Sequence, residues 1–374
     1  MSSTPGFASR LFLSGSAGFL LIGVYGAAVG VVLPEFTRIF GLSDRAAGLF
    51  PAVWGLGSVL MVAAGTLGVR GLTARLSTLL LALGGVLIAA GPGWLPTLLG
   101  AFLAGAGFGI TASHVNRAFL TGFGPRGPSM VGLVNAINAI GLVAAPLLLV
   151  AAGGSPHLLY AGLTLFALAC MTLFPSREDG FAGASRGLPP LGRREVGLLA
   201  LITGSTVIES GLAAFAALAL IAMGRAADHA YLLVSAYFAA FFLGRLSLYW
   251  LTRHVAPERL LLVSAIGVAC GTGLAMSGLA GPGYVLTGAF VGIAFPSAYI
   301  WQSRILGPDP RMASSMVLAG LTGGVIGPVL FAAVLGVTGV EHLFTLTAIV
   351  AALLSLAILR GLASNAPPAP AAPA

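Results

Sequence analysis

Residues 196–223 read VGLLALITGSTVIESGLAAFAALALIAM, an apolar run broken by a single charge, Glu209. A hydrocarbon core of about 30 Å takes about 20 helical residues to cross, and this run is longer. A carboxylate at that depth costs at least a few kcal/mol, so it marks a water-filled pathway or a proton relay. Of the ten acidic residues in the chain, Glu209 is the one set deep inside such a run. The stretch reads as a membrane-spanning helix that carries a functional charge.

The same texture recurs from end to end. Apolar residues make up 58% of the 374 and charged residues 7%, against roughly 25% charged in a soluble domain. Cutting the chain at its Gly, Pro and Arg punctuation predicts twelve spans. They are 11–34, 46–69, 76–93, 96–120, 130–151, 157–175, 196–223, 230–252, 260–279, 283–306, 312–336 and 341–360. Barrel strands would alternate in polarity over about ten residues, and these runs do not. The first run is longer than the apolar core of a signal peptide and lacks a small-residue cleavage site, so it is read as a retained helix.

Arginine placement sets the orientation. All 18 basic residues are arginine; with abundant Ala and Gly, this reads as coding bias. With the N-terminus inside, the cytoplasmic connections hold Arg10, Arg70, Arg75, Arg126, Arg177, Arg186, Arg193, Arg194, Arg253, Arg259, Arg311 and Arg360. The outer connections hold Arg38, Arg45 and Arg225. Positive residues concentrate on cytoplasmic loops, so both termini are expected inside, in a bacterial inner membrane. The net charge of +8 is spread singly between apolar runs. It forms no basic stripe with interleaved aromatics, which argues against nucleic acid.

One connection stands apart. SREDGFAGASRGLPPLGRRE, near the midpoint, is the only long polar stretch in the interior and reads as a linker. The expected division is a six-helix bundle over 1–175, a cytoplasmic linker over 176–195, a second bundle over 196–360 and a disordered tail over 361–374. The fifth run holds Gly141 and then Ala145-Pro146; the eleventh holds Gly323 and then Gly327-Pro328. Small residues four apart permit close helix approach, and proline is tolerated in spanning helices. Their equivalent placement predicts two pseudo-symmetric halves.

With twelve runs, a central linker and paired Gly/Pro motifs, the chain resembles the major facilitator superfamily over essentially its whole length. The loop motif of that family, G-x-L-x-D-R-x-G-R, stands here as GTLGVRGLTAR: Gly65, Leu67 and Arg70 match, Val69 replaces the acid and Leu72 the second glycine. GRLSLYWLTRH in the second half also lacks the acid. GAGFGITASHVNR with Asn116, MVGLVNAINAIGLVAAPLL with Asn135, FFLGRL and GIAFPSAYIWQ are similar to the proton-linked fucose/glucose/galactose symporter branch. That branch carries acids in its first and fourth helices, where this chain has about Gly30 and Ser113, so its coupling residues do not transfer. The resemblance implies an all-α membrane fold, alternating access, and a cavity lined by the first, fourth, seventh and tenth helices.

The polar residues sort by depth. Glu209 is read as alone in the middle-to-outer part of the membrane and as the proton-coupling group. Protonation there alternates with substrate or conformation, although a structural hydrogen-bonded acid is the plainer alternative. Arg117, Arg245 and Arg304 form an inner layer, either snorkelling to headgroups or, with His114, gating the cytoplasmic side and anchoring an anionic or hydroxylated solute. Asn116, Asn135 and Asn138 are amides in apolar helices that need partners; they are interhelical glue or hydroxyl-recognising groups. Tyr25, Trp54, Tyr237, Trp301 and Gln302 are candidate stacking or hydrogen-bonding groups in the same cavity, with packing as the alternative. Cys170 and Cys270 read as packing residues.

No nucleophile motif, metal-ligand spacing or phosphate loop is present, so neither an enzyme nor a cofactor is expected, and without a Walker sequence ATP is not the drive. A secondary transporter, working as a monomer in the bilayer on a small-molecule substrate with protons, is the leading reading. Uptake of a sugar-like polar solute competes with proton-driven efflux of lipophilic compounds. A non-transporting membrane sensor is the reading from a different class.

Overall fold

The computed structural model describes residues 5–174, 189–307 and 309–364. Most of the 176–195 connection, with Arg177 and Arg186, lies outside them, as does the NAPPAPAAPA tail.

Fourteen α-helices account for the described elements, with two single 3-10 turns. They are α1 (Pro5–Val31), α2 (Leu33–Phe40), α3 (Asp44–Ala47), α4 (Leu49–Thr66), α5 (Ala74–Ala90), α6 (Trp94–Gly122) and α7 (Gly127–Ala151). After these come α8 (Pro156–Leu173), α9 (Arg193–Ala222), α10 (Ala227–His254), α11 (Pro257–Met276), α12 (Ala280–Leu306), α13 (Pro310–Thr338) and α14 (Leu343–Ser364). Among the described residues, 11 helical segments are long and apolar enough to cross a membrane; α5, at 17 residues, is shorter. The chain is a multi-pass membrane protein. Its exposed side chains fit that solvent: Leu79, Leu83 and Val86 of α5 and Ile349, Leu353 and Leu356 of α14 point outward.

Two boundaries move from their expected places. α9 begins at Arg193, inside the polar 176–195 stretch, and α14 runs on to Ser364, into the expected tail. Apolar composition underestimates helix length wherever the last turn is polar. The run-cutting also passes over α2. This helix buries Leu33 and Phe36 and turns Arg38 outward, with Pro34 in its first turn. An amphipathic helix of two turns has no apolar run to detect.

Short polar residues at the connections explain where helices start. Thr73 and Ser155 accept the backbone N–H groups of Leu76 and Leu158 at the starts of α5 and α8. Asp309 does the same for α13, accepting from the Arg311 N–H at 2.8 Å. Hydrogen bonds from the Arg311 guanidinium, then from its backbone, hold the Asp309 carboxyl below the usual carboxylate range. α5 ends on Gly91 at φ 57°, a left-handed turn that glycine takes without a Cβ penalty.

The packing pairs recur. α1 lies on α7, α4 on α6, and α5 on α6 and α8; further along, α9 lies on α13, α10 on α12, and α11 on α12 and α14. The small residues of the paired motifs sit in corresponding contacts. A Cβ at Gly141 would come within 2.8 Å of the Val24 amide nitrogen of α1. One at Gly327 would strike Ser210 of α9. Pro146 and Pro328 lie inside α7 and α13, the partners of α1 and α9.

Between α1–α8 and α9–α14 the joins are α4 with α13, α7 with α10, and α1 with α9. Their named contacts lie toward the end of the molecule that carries residues 31–49, here the distal end. A Cβ on Gly30 would overlap the Ala213 carbonyl. The Tyr231 hydroxyl donates to Glu35 Oε1 at 3.0 Å, and Ser235 Oγ to the Val143 carbonyl at 2.8 Å. Arg38 holds the other Glu35 oxygen at 2.9 Å.

Candidate functional site

Glu209 lies near the midpoint of the 30-residue α9, about 24 Å along the axis from Arg193 at 1.5 Å per residue. Its helix neighbours are committed elsewhere. Thr203 and Ser210 donate to the Ala319 and Gly323 carbonyls of α13, both at 3.1 Å. Leu198 offers its carbonyl to Gln302 of α12. Glu209 meets α10 instead, where its Oε1 stands 3.6 Å from an Arg245 terminal nitrogen.

Glu209 is therefore not alone. Arg245 starts nearer the proximal end of α10, yet its guanidinium lies over the Phe241 ring, 4.3 Å from the centroid and one turn distal. The side chain reaches back along α10, away from the proximal end toward which snorkelling would take it. The Arg245 and Glu209 side chains are 38% and 29% exposed, so neither is sealed in the protein core. The pair's 3.6 Å separation exceeds a hydrogen bond. A loose, partly exposed pair is one that another charge can exchange into.

Aromatic rings continue the line away from Arg245. Phe241 stacks with Tyr237 at 6.4 Å, and Tyr237 with Tyr284 of α12 at 4.6 Å and 3° between planes. Tyr237 is fully buried in this ladder and supports the guanidinium's platform; it does not line an open cavity. Its hydroxyl and Arg245 Nε are buried without a hydrogen-bond partner among the described residues.

A second polar contact joins α6 and α7. Asn135 donates from its amide to Asn116 Oδ1 at 3.0 Å and to the Val131 carbonyl at 2.8 Å. Asn135 is exposed and Asn116 half-buried, so both retain free polar capacity. Asn138, three residues on, donates to the Phe19 carbonyl of α1 at 3.0 Å and is interhelical glue. The expected shared face thus splits between two neighbours.

The remaining candidates divide by burial. Tyr25 is fully buried, donates to the Leu81 carbonyl at 2.9 Å and packs edge-on to Tyr160, which removes it from any cavity lining. Gln302 is fully buried and donates to the Leu198 carbonyl at 2.6 Å. Trp301 is 6% exposed and lies toward Gly361 of α14, so both residues hold helices together. Trp54 is half-buried against Phe108, 4.7 Å between centroids. His114 and Arg117 are half-buried on α6, and Arg304 is exposed in the last turn of α12. In the degenerate loop motif Arg70 is exposed, while Arg75 donates from Nε to the Phe174 carbonyl at 3.0 Å, tying α5 to the end of α8.

The sequence reading missed Tyr231 and Ser235. A serine or tyrosine in an apolar helix gives no hint of which helix it will reach.

No family model matches the chain, and no curated protein matches it. Solved structures do. A variant of the nucleoside transporter NupG superposes with a TM-score of 0.75 at 12% identity, over 94% of this chain and 99% of that one. A D-xylose-proton symporter gives 0.74 at 14%, over 94% and 97%. FucP, a Major Facilitator Superfamily transporter in the outward conformation, gives 0.60 at 17%, over 94% and 98%. Identities this low speak for architecture alone: the chain shares its fold with these three proteins.

Proposed function

We propose that the chain is a secondary transporter that moves a small polar solute by alternating access and is driven by protons through Glu209. The carrying observation is the Glu209–Arg245 pair, a loose ionisable contact near the midpoint of α9 whose side chains are only partly buried. A carboxylate there can take a proton from one side, release its arginine, and return the proton on the other. The exposed Asn135 and its partner Asn116 suit a hydroxylated, sugar-like solute.

In this reading twelve spans form two six-helix bundles, 1–175 and 196–360, joined by a cytoplasmic linker. The chain works as a monomer in a bacterial inner membrane with both termini inside. The recurring helix pairings and the distal joins between the two sets support rocking of one bundle against the other.

The test is accumulation in proteoliposomes across a panel of hydroxylated solutes, with and without an inward proton gradient. Glu209→Gln mimics the protonated acid. It should abolish gradient-driven accumulation while exchange of solute across the membrane continues. A Glu209→Gln protein that still concentrates solute as well as the parent makes Glu209 structural.

A further inference from the structure

Arg245 offers more donor capacity than this chain uses. One terminal nitrogen faces Glu209 beyond hydrogen-bond length. Its Nε is buried without an acceptor. The Tyr237 hydroxyl, fully buried and within the field of both Glu209 and Arg245, likewise has none. A buried donor left unmade is costly, and here the Arg245 Nε and the Tyr237 hydroxyl are two such donors at a side chain that is 38% exposed. The guanidinium carbon lies 4.3 Å from the Phe241 ring centroid. A guanidinium's planar fork receives a carboxylate through parallel N–H···O bonds.

We propose that Arg245 receives the carboxylate of the transported solute, which is a small organic monoanion. This rests on the reading of Glu209 as proton carrier and narrows the polar solute to an acid. While Glu209 is ionised, its charge offsets Arg245 and repels a second carboxylate. Once a proton forms an O–H bond on Glu209, the guanidinium carries an unmatched positive charge and the solute's carboxylate takes that place. One proton and one anion then cross together, and the net charge moved is zero. Among the described residues, Arg245 and Tyr237, both on α10, are the titratable groups that interact electrostatically with Glu209. α13 meets α9 at the Thr203 and Ser210 contacts, α12 through the Gln302 amide, and α1 at Gly30.

The experiment measures stabilisation of the full-length protein against heat by matched probes: glucuronate and glucose, lactate and lactamide, benzoate and benzamide. It is run at about pH 5.5 and about pH 8, where an acid of ordinary pKa near 4 stays ionised. At least one acid should bind where its neutral partner does not, and more tightly at the lower pH. Arg245→Gln should weaken that binding roughly ten- to hundredfold, the loss of a charge-assisted contact, and Arg245→Lys by less. Glu209→Gln should bind the acid at pH 8 as tightly as the parent does at pH 5.5. The acid-versus-neutral comparison on the parent chain needs no variant, so it stands if Arg245→Gln fails to fold. Neutral probes binding as well as acids, no acid binding, or unchanged affinity in a folded Arg245→Gln protein would each overturn the proposal. Acid binding that needs Arg245 but ignores both pH and Glu209 supports the receptor and sinks proton coupling. Gradient-driven uptake of a neutral solute, lost in Glu209→Gln, overturns the receptor and leaves coupling intact.

Discussion

At the scale of single residues, the Glu209–Arg245 pair is better judged by what its halves cost apart. Removing one partner of a buried pair costs about 3–5 kcal/mol. With the two side chains 38% and 29% exposed, the pair is only partly buried and the cost is smaller, as it is for exposed pairs. Arg245→Leu should therefore destabilise the protein by roughly 1–3 kcal/mol, and adding Glu209→Gln should restore part of the loss. Thermal unfolding of the two singles and the double measures the coupling; strictly additive effects would mean the 3.6 Å contact carries no energy. Gln302 behaves differently. It makes one bond, to the Leu198 carbonyl, and leaves Oε1 buried without a partner. Gln302→Leu removes both, so its cost should stay within about 1 kcal/mol, and Gln302→Glu, which buries a charge, should cost much more. These two fates also mark how much of the site could be read from residue types. Glu209 announced itself because a carboxylate is expensive at depth. Tyr25, Tyr237, Trp301 and Gln302 did not reveal that they face packed neighbours, because a helix apolar on every side carries no stripe that tells lumen from core.

At the scale of elements, α1 and α9 meet where Gly30 lets the Ala213 carbonyl come close, and α2 reaches α10 through Glu35 and Tyr231. Both contacts join the two helix sets at the distal end. Gly30→Leu should hold that end apart. A reporter thiol at Ala214, now 3% exposed, should then react several-fold faster with a maleimide, and solute exchange should fall. Unchanged reactivity would mean that α1 and α9 part elsewhere. The spans themselves were legible, since a long apolar run between arginines has few other readings. α2 and α3 were not. They are short, partly polar and set by contacts such as Phe36 with Phe50, 5.1 Å apart, that no local pattern encodes.

At the scale of the molecule, the arginine asymmetry predicts which way the chain sits. Leu191, exposed at the start of the second helix set, is a suitable single-cysteine position. An impermeant thiol reagent should leave it unlabelled in intact cells and label it in inverted vesicles; labelling in intact cells would reverse the orientation. The paired Gly/Pro motifs were visible from spacing alone, and Pro146 and Pro328 lie on helices with corresponding partners. Which polar residue of one helix set meets which of the other was not readable, because those contacts depend on how the sets pack together.

The 17 residues of α5 have a consequence for the lipid. Rising 1.5 Å each, they reach about 26 Å, short of a hydrocarbon layer of about 30 Å. Leu79, Leu83 and Val86 present that short wall outward. On the proposed twelve-span reading, acyl chains beside α5 compress to meet it, at a fraction of a kcal/mol for each ångström of mismatch. The protein should then pinch the bilayer on one flank and prefer short-chain phospholipids there, so that membrane thickness itself becomes a variable acting on α5 and on α6 and α8 packed behind it.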